Sequence, residues 1–138
     1  MEKSKYPILI VDDEESITEL LSDYLEQEGF SVQSTNNPLE ALTIVENENI
    51  KIILTDIKMP ELSGIELLEK VKKINGLIQV IIMTGYGTLE NTVQCLEQGA
   101  NDYLLKPFKN LLEIKNIIGL TMDKLTRWEA VIKDIYVK

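Results

Sequence analysis

The stretch ILTDIKMP, residues 53–60, runs three β-favouring residues, Ile53-Leu54-Thr55, into Asp56 and then breaks at Pro60. A carboxylate at the end of an apolar strand needs a reason, and the surrounding sequence supplies one. The stretch belongs to an apolar run over Lys51–Thr55, and similar runs recur at Tyr6–Val11, Phe30–Ser34, Gln79–Met83 and Asp102–Leu105. Helical patterns fill the intervals. Glu14–Glu28 places Ile17, Leu20, Leu21, Tyr24 and Leu25 on one face and stops at Gly29, a residue that tolerates the left-handed conformation past a helix end. A second helix starts at Asn37-Pro38, a cap followed by proline at the first helical position, and carries Ala41, Leu42 and Val45. Ile65–Ile74 repeats the pattern and ends at Asn75-Gly76, Thr88–Gln98 ends at Gly99, and Asn110 with Glu113 three residues on starts a longer last helix.

Strand and helix alternating in this way predict parallel strands joined by right-handed crossovers, the central ones covered on both faces. The fold class is therefore α/β, an open doubly wound parallel sheet. For five strands the common order is 2-1-3-4-5, and ligands bind beyond the carboxyl ends where the order reverses, between the first and third strands. The first strand is followed by Asp12-Asp13-Glu14-Glu15 and the third ends in Asp56; the fourth is followed by Thr84-Gly85 and the fifth by Lys106-Pro107. Three carboxylates, a hydroxyl and an ammonium are thus expected at one edge.

The 138-residue chain is one domain by length, 44% hydrophobic and 27% charged, with no apolar run long enough to span a membrane. MEKSKYPILIV meets Asp12 too soon for a secretory signal, and the single Cys95 permits no internal disulfide, so a cytoplasmic protein is expected. Twenty-three acidic against fourteen basic residues give a net charge of -9, which opposes direct binding to nucleic acid or to an anionic membrane. The absence of histidine excludes Ser-His-Asp and Cys-His catalysis and histidine-containing zinc sites.

Three carboxylates in one cleft repel one another, and a hard divalent cation offsets that repulsion. Magnesium suits such a site, because it takes one or two carboxylates, keeps several waters and completes its octahedron with phosphate oxygens. Asp13 and Asp56 are the expected direct ligands, with Asp12 acting through water. An aspartate beside a metal and a lysine can attack phosphorus and become an aspartyl phosphate, with Lys106 neutralising the transferring group and Thr84 donating its hydroxyl proton to a phosphoryl oxygen. Each residue also has a plain reading. Acids at a helix start complement the macrodipole, Asp56 is a turn residue, Lys106 is solvated and Thr84 caps a helix. Those readings do not account for all four strand ends meeting at one edge.

The motifs VDDEE, LTDIKMPELSG, MTGYG and DYLLKPF, in this order and at these separations, closely resemble the receiver domain of two-component response regulators over about residues 5–120. The resemblance implies a flavodoxin-like fold with five helices, Asp56 as phosphoacceptor, Asp12 and Asp13 as the acidic pair, and Thr84 and Lys106 as phosphate-sensing side chains. It further implies a magnesium contact from the Lys58 backbone carbonyl, a cis bond at Lys106-Pro107, and Tyr103 as the switch aromatic. The implied donor is a phosphohistidine on a sensor histidine kinase or phosphotransfer protein. The receiver would catalyse its own phosphorylation and slow hydrolysis, because the two positions that modulate hydrolysis hold Lys58 and Tyr86, neither an obvious water-activating group. The segment from Met83 to Phe108 most resembles receivers that precede an ATPase module in enhancer-binding transcription regulators.

Beyond the receiver, residues 1–120, the last helix is expected to continue through an extension over residues 121–138. Leu111, Ile114, Ile118, Thr121, Leu125, Trp128, Ile132 and Ile135 step by three and four, which favours a homodimeric coiled coil or a signalling helix leading to an output domain outside this chain. Gly119 supports the opposite reading, a break after which the remainder packs back on its own domain. Three functional alternatives stand beside the receiver reading. A haloacid-dehalogenase-type phosphohydrolase wants an acid where Lys58 stands; a phosphorylation-independent interaction domain would have a disrupted site; and acids at the switch point would repel the phosphate of a flavin.

Overall fold

The structure, a computed structural model, describes residues 6–85 and 88–137. Its strands are β1 (Ile8–Val11), β2 (Val32–Thr35), β3 (Ile52–Thr55), β4 (Gln79–Thr84) and β5 (Asp102–Leu105). Its helices are α1 (Glu15–Gln27), α2 (Pro38–Asn47), α3 (Gly64–Ile74), α4 (Leu89–Glu97) and α5 (Leu111–Val137). All strands are parallel, in the order β2-β1-β3-β4-β5.

Every residue of β1, β3 and β4 is buried, which is why these segments read as unbroken apolar runs. Alternate side chains serve two cores. Leu9, Val11, Ile53, Val80 and Ile82 pack with α2 and α3, while Ile8, Ile10, Ile52, Leu54, Ile81 and Met83 pack with α1 and α5. Local chemistry sets the helix ends. Asn37 accepts from the Leu39 amide ahead of Pro38, Ser63 and Glu66 form a reciprocal capping box on α3, and Thr88 accepts from the Asn91 amide on α4.

The second strand begins later than the expected Phe30, and the reason is the end of α1. Gly29, at φ 92°, lets its own amide reach the Glu26 carbonyl and the Phe30 amide reach the Leu25 carbonyl, a Schellman closure that uses Phe30 before the sheet can. Gly99, at φ 98°, closes α4 in the same way.

Helix α5 runs without interruption through Gly119. Its apolar stripe divides in two. Ile114, Ile118, Thr121 and Leu125 are buried, whereas Trp128 and Ile135 are exposed. The buried Tyr6 hydroxyl donates to Glu129 Oε2 at 3.1 Å and lies 3.3 Å from Thr126 Oγ1, pinning the helix to the start of the sheet. The expected stripe is therefore partly consumed by the protein's own core. Among the described residues no helix is long and apolar enough to cross a membrane.

Candidate functional site

Register builds the site. Val11 stands beside Thr55, and the Asp56 amide donates to the Val11 carbonyl at 3.1 Å, so the residues after β1 and β3 leave the sheet side by side. Carboxylate oxygens of Asp12, Asp13 and Asp56 lie within 4.8 Å of one another. Asp12 and Asp56 are buried and Asp13 is exposed. Lys106 enters from the end of β5, with Nζ 2.5 Å from Asp12 Oδ2 and 3.3 Å from Asp56 Oδ2. Its own amide donates to the Thr84 carbonyl at 2.9 Å, tying it to the end of β4.

The remaining oxygens divide the labour. Asp12 Oδ1 accepts from the Glu14 amide at 2.9 Å and Asp56 Oδ1 from the Ile57 amide at 2.8 Å. Among the described residues, Asp12 thus has both carboxylate oxygens engaged, while Asp13 presents its carboxylate to solvent. Asp56 likewise has both oxygens engaged, by the Ile57 amide and by Lys106. The donor set is all oxygen, it is acidic, and one side opens to water, which matches a hard cation such as Mg2+. Burial alone would lower the Lys106 ammonium, but the hydrogen bond and charge of Asp12, followed by those of Asp56, outweigh it and hold the group above its ordinary value.

Thr84, fully buried, is the last residue of β4, and Lys58 is exposed on the loop after β3. Tyr103 is half-buried against the α2 and α3 core, with its hydroxyl buried and lacking a hydrogen-bond partner among the described residues. The Lys106-Pro107 bond is cis. Tyr86 lies outside the described residues.

Sequence reasoning missed two residues. A Cβ built on Gly64 would lie 2.0 Å from the Asp56 carbonyl oxygen, and the Gly64 amide donates to Ile57 O at 2.7 Å. Only glycine fits there, and the sole signal was a glycine opening a capped helix. The other is Asn36, whose side-chain amide donates to the Asp12 carbonyl at 2.8 Å and to Thr18 Oγ1 at 3.0 Å. It stood unremarked beside the cap residue Asn37.

Comparison with known proteins agrees with this geometry. The family model for the response regulator receiver domain matches residues 8–118. The transcriptional regulatory protein CpxR homolog of Haemophilus influenzae is 46% identical over 103 residues, covering 75% of this chain and 44% of that protein. Sporulation initiation phosphotransferase F of Bacillus subtilis is 40% identical over 111 residues, covering 80% of this chain and 89% of that protein. Among solved structures, a CheY-like response regulator receiver domain protein of Methanospirillum hungatei superposes with a TM-score of 0.86 at 38% identity, covering 90% of this chain and 98% of that one. The chain spans less than half the length of the Haemophilus regulator and most of the other two.

Proposed function

The chain belongs to the response regulator receiver domain family of two-component systems, and on that premise we propose that Asp56 accepts a phosphoryl group from a phosphohistidine on a sensor kinase or phosphotransfer protein. The observation that carries this reading is the bridging of Asp12 and Asp56 by one lysine beside the open carboxylate of Asp13. A carboxylate oxygen of Asp56 forms the new P–O bond as the P–N bond of the donor breaks and the imidazole leaves. Asp13, Asp56 and the Lys58 carbonyl would hold Mg2+, with Asp12 acting through water; the ion, when bound, supplies charge neutralisation for the transferring group. Lys106 turns from its carboxylate partners to a phosphoryl oxygen, and Thr84 donates to another.

Two charge-assisted hydrogen bonds of about 1.5–3 kcal/mol each approach the roughly 5.5 kcal/mol that carries a two-state switch from mostly off to mostly on. Tyr103, whose buried hydroxyl has no hydrogen-bond partner among the described residues, is the side chain that answers, altering the face made by α4, β5 and α5. Leu89, Val93, Leu96, Leu105 and Leu112 are exposed on these three elements. The α5 extension carries the signal to a second copy or to an output domain, using the exposed Trp128, Val131 and Ile135. Hydrolysis of the aspartyl phosphate is slow.

Incubation with acetyl phosphate or beryllium fluoride, with and without Mg2+, followed by intact mass, tests the central claim. The adduct is expected only with Mg2+ and only on wild type. An adduct on Asp56→Asn, or none on wild type, overturns it. A phosphoryl lifetime of seconds in the purified protein overturns slow hydrolysis. Sedimentation of residues 1–138 against 1–120 tests the extension, and identical monomers before and after phosphorylation remove the dimer.

A further inference from the structure

The acidic pair is two consecutive residues, so the peptide plane between them decides where both carboxylates point. Asp12 sends its side chain inward to Lys106 and the Glu14 amide, while Asp13 sends its own outward as the open ligand. Rotation of the Asp12–Asp13 peptide would swing Asp13 away from Asp56. The side before this plane is anchored, because the Asp12 amide donates to the Thr35 carbonyl at 3.3 Å. The plane itself is gripped through the Asp12 carbonyl oxygen by Asn36 Nδ2 at 2.8 Å.

Asn36 is well built for this grip. The same nitrogen donates to Thr18 Oγ1 at 3.0 Å, and Thr18 is buried on α1 with its hydroxyl directed to the Glu15 carbonyl at 3.0 Å. A peptide carbonyl can only accept, and the Thr18 proton is already committed to Glu15. Both partners therefore accept, and only the amide NH2 of Asn36 can serve them together. The loop that carries Asn36 is itself fixed, since Thr35 Oγ1 accepts from the Asn37 amide at 3.1 Å. One side chain from the end of β2 thus joins the β1–α1 loop to the first turn of α1.

We infer that Asn36 is a positioning residue for divalent-cation binding, holding the Asp12–Asp13 peptide so that Asp13 faces Asp56. The inference rests on the reading of Asp12, Asp13 and Asp56 as a cation site. Asn36 touches neither the cation nor the phosphoryl group. It lowers the cost of assembling the ligand set, as outer-shell hydrogen bonds do at other metal sites.

The test measures Mg2+ binding by isothermal titration calorimetry on wild type, Asn36→Ala, the isosteric Asn36→Leu and Asp13→Asn. Thermal unfolding without metal accompanies it. Both Asn36 variants are expected to bind Mg2+ about tenfold more weakly, the low end for outer-shell partners, while their metal-free unfolding temperatures fall modestly with the two hydrogen bonds removed and both remain fully folded at the titration temperature. Their phosphorylation by acetyl phosphate should recover when Mg2+ is raised to saturation. Wild-type Mg2+ affinity in both variants overturns the inference, and so does a loss of affinity confined to variants that are no longer fully folded at the titration temperature. Failure of the underlying reading looks different: wild type does not bind Mg2+, or Asp13→Asn binds as tightly as wild type.

Discussion

Gly64 and Asp56 meet backbone to backbone: a side chain on the glycine would stand 2.0 Å from the aspartate carbonyl oxygen. The first residue of α3 therefore lies on the peptide that carries the proposed phosphoacceptor. Gly64→Ala is expected to push that peptide aside, with an overpacking cost of about 1–3 kcal/mol. Urea unfolding should show the loss of stability, and the initial rate of acetyl-phosphate labelling should fall with it.

Lys106 occupies the place of a counterion between Asp12 and Asp56. Lys106→Met removes it and leaves the two buried carboxylates facing each other. Mg2+ should then bind more tightly, by roughly tenfold if one charge-assisted hydrogen bond of about 1.5 kcal/mol no longer competes. Titration calorimetry reads the affinity. The variant should still label on Asp56, more slowly, and should fail to convert labelling into a change in the environment of Tyr103.

The same lysine sets an alkaline limit. Its ammonium is held above the ordinary value of 10.5, so the folded state keeps the proton more tightly than the unfolded chain does. Its stabilising contribution is complete below pH 10.5 and disappears as pH climbs through the raised folded value. Thermal unfolding of wild type and Lys106→Met in metal-free buffer should show a constant gap from neutrality to about pH 9.5, narrowing only beyond the ordinary lysine value.

Among the described residues, nothing outside the local helix backbone lies within 4 Å of a Cβ placed on Gly119, in the middle of a continuous helix. Gly119→Ala should therefore raise stability by about 1 kcal/mol, the difference in helix propensity. A higher unfolding temperature is the expected result.

Tyr6→Phe keeps the buried ring but removes the hydroxyl that engages Glu129 and lies beside Thr126. Stability should fall by about 1 kcal/mol, the net worth of a hydrogen bond. Amide hydrogen exchange should quicken beyond Thr126 while residues before Leu125 stay protected.

The sheet order and the edge that carries the site were legible because the strands are buried on both faces and end in chemically marked residues. Asp12, Asp56, Thr84 and Lys106 each follow or close an apolar run. What stayed hidden depends on contacts across the chain. Asn36 reaches Asp12 from 24 residues away, Gly64 is required by the approach of another segment's carbonyl, and Phe30 is drawn into a helix closure instead of the strand. The periodicity of α5 looked like an open seam because it cannot show that Tyr6 and the inner core cover the stripe as far as Leu125.

Helix α5 also has a mechanical consequence. Twenty-seven residues in one unbroken helix make a rod about 40 Å long. Its first turn starts just past the loop that bears Lys106, and its last turns carry the exposed Val131, Ile135 and Tyr136. A tilt of roughly 5° about the Tyr6 contact would move the near end about 2 Å and the far tip about 1 Å in the opposite direction. Because Tyr6 engages Thr126 and Glu129, it is a fulcrum set toward the far end: the long arm, about 23 Å, runs back to the loop that bears Lys106, and the short arm, about 12 Å, runs out to the tip.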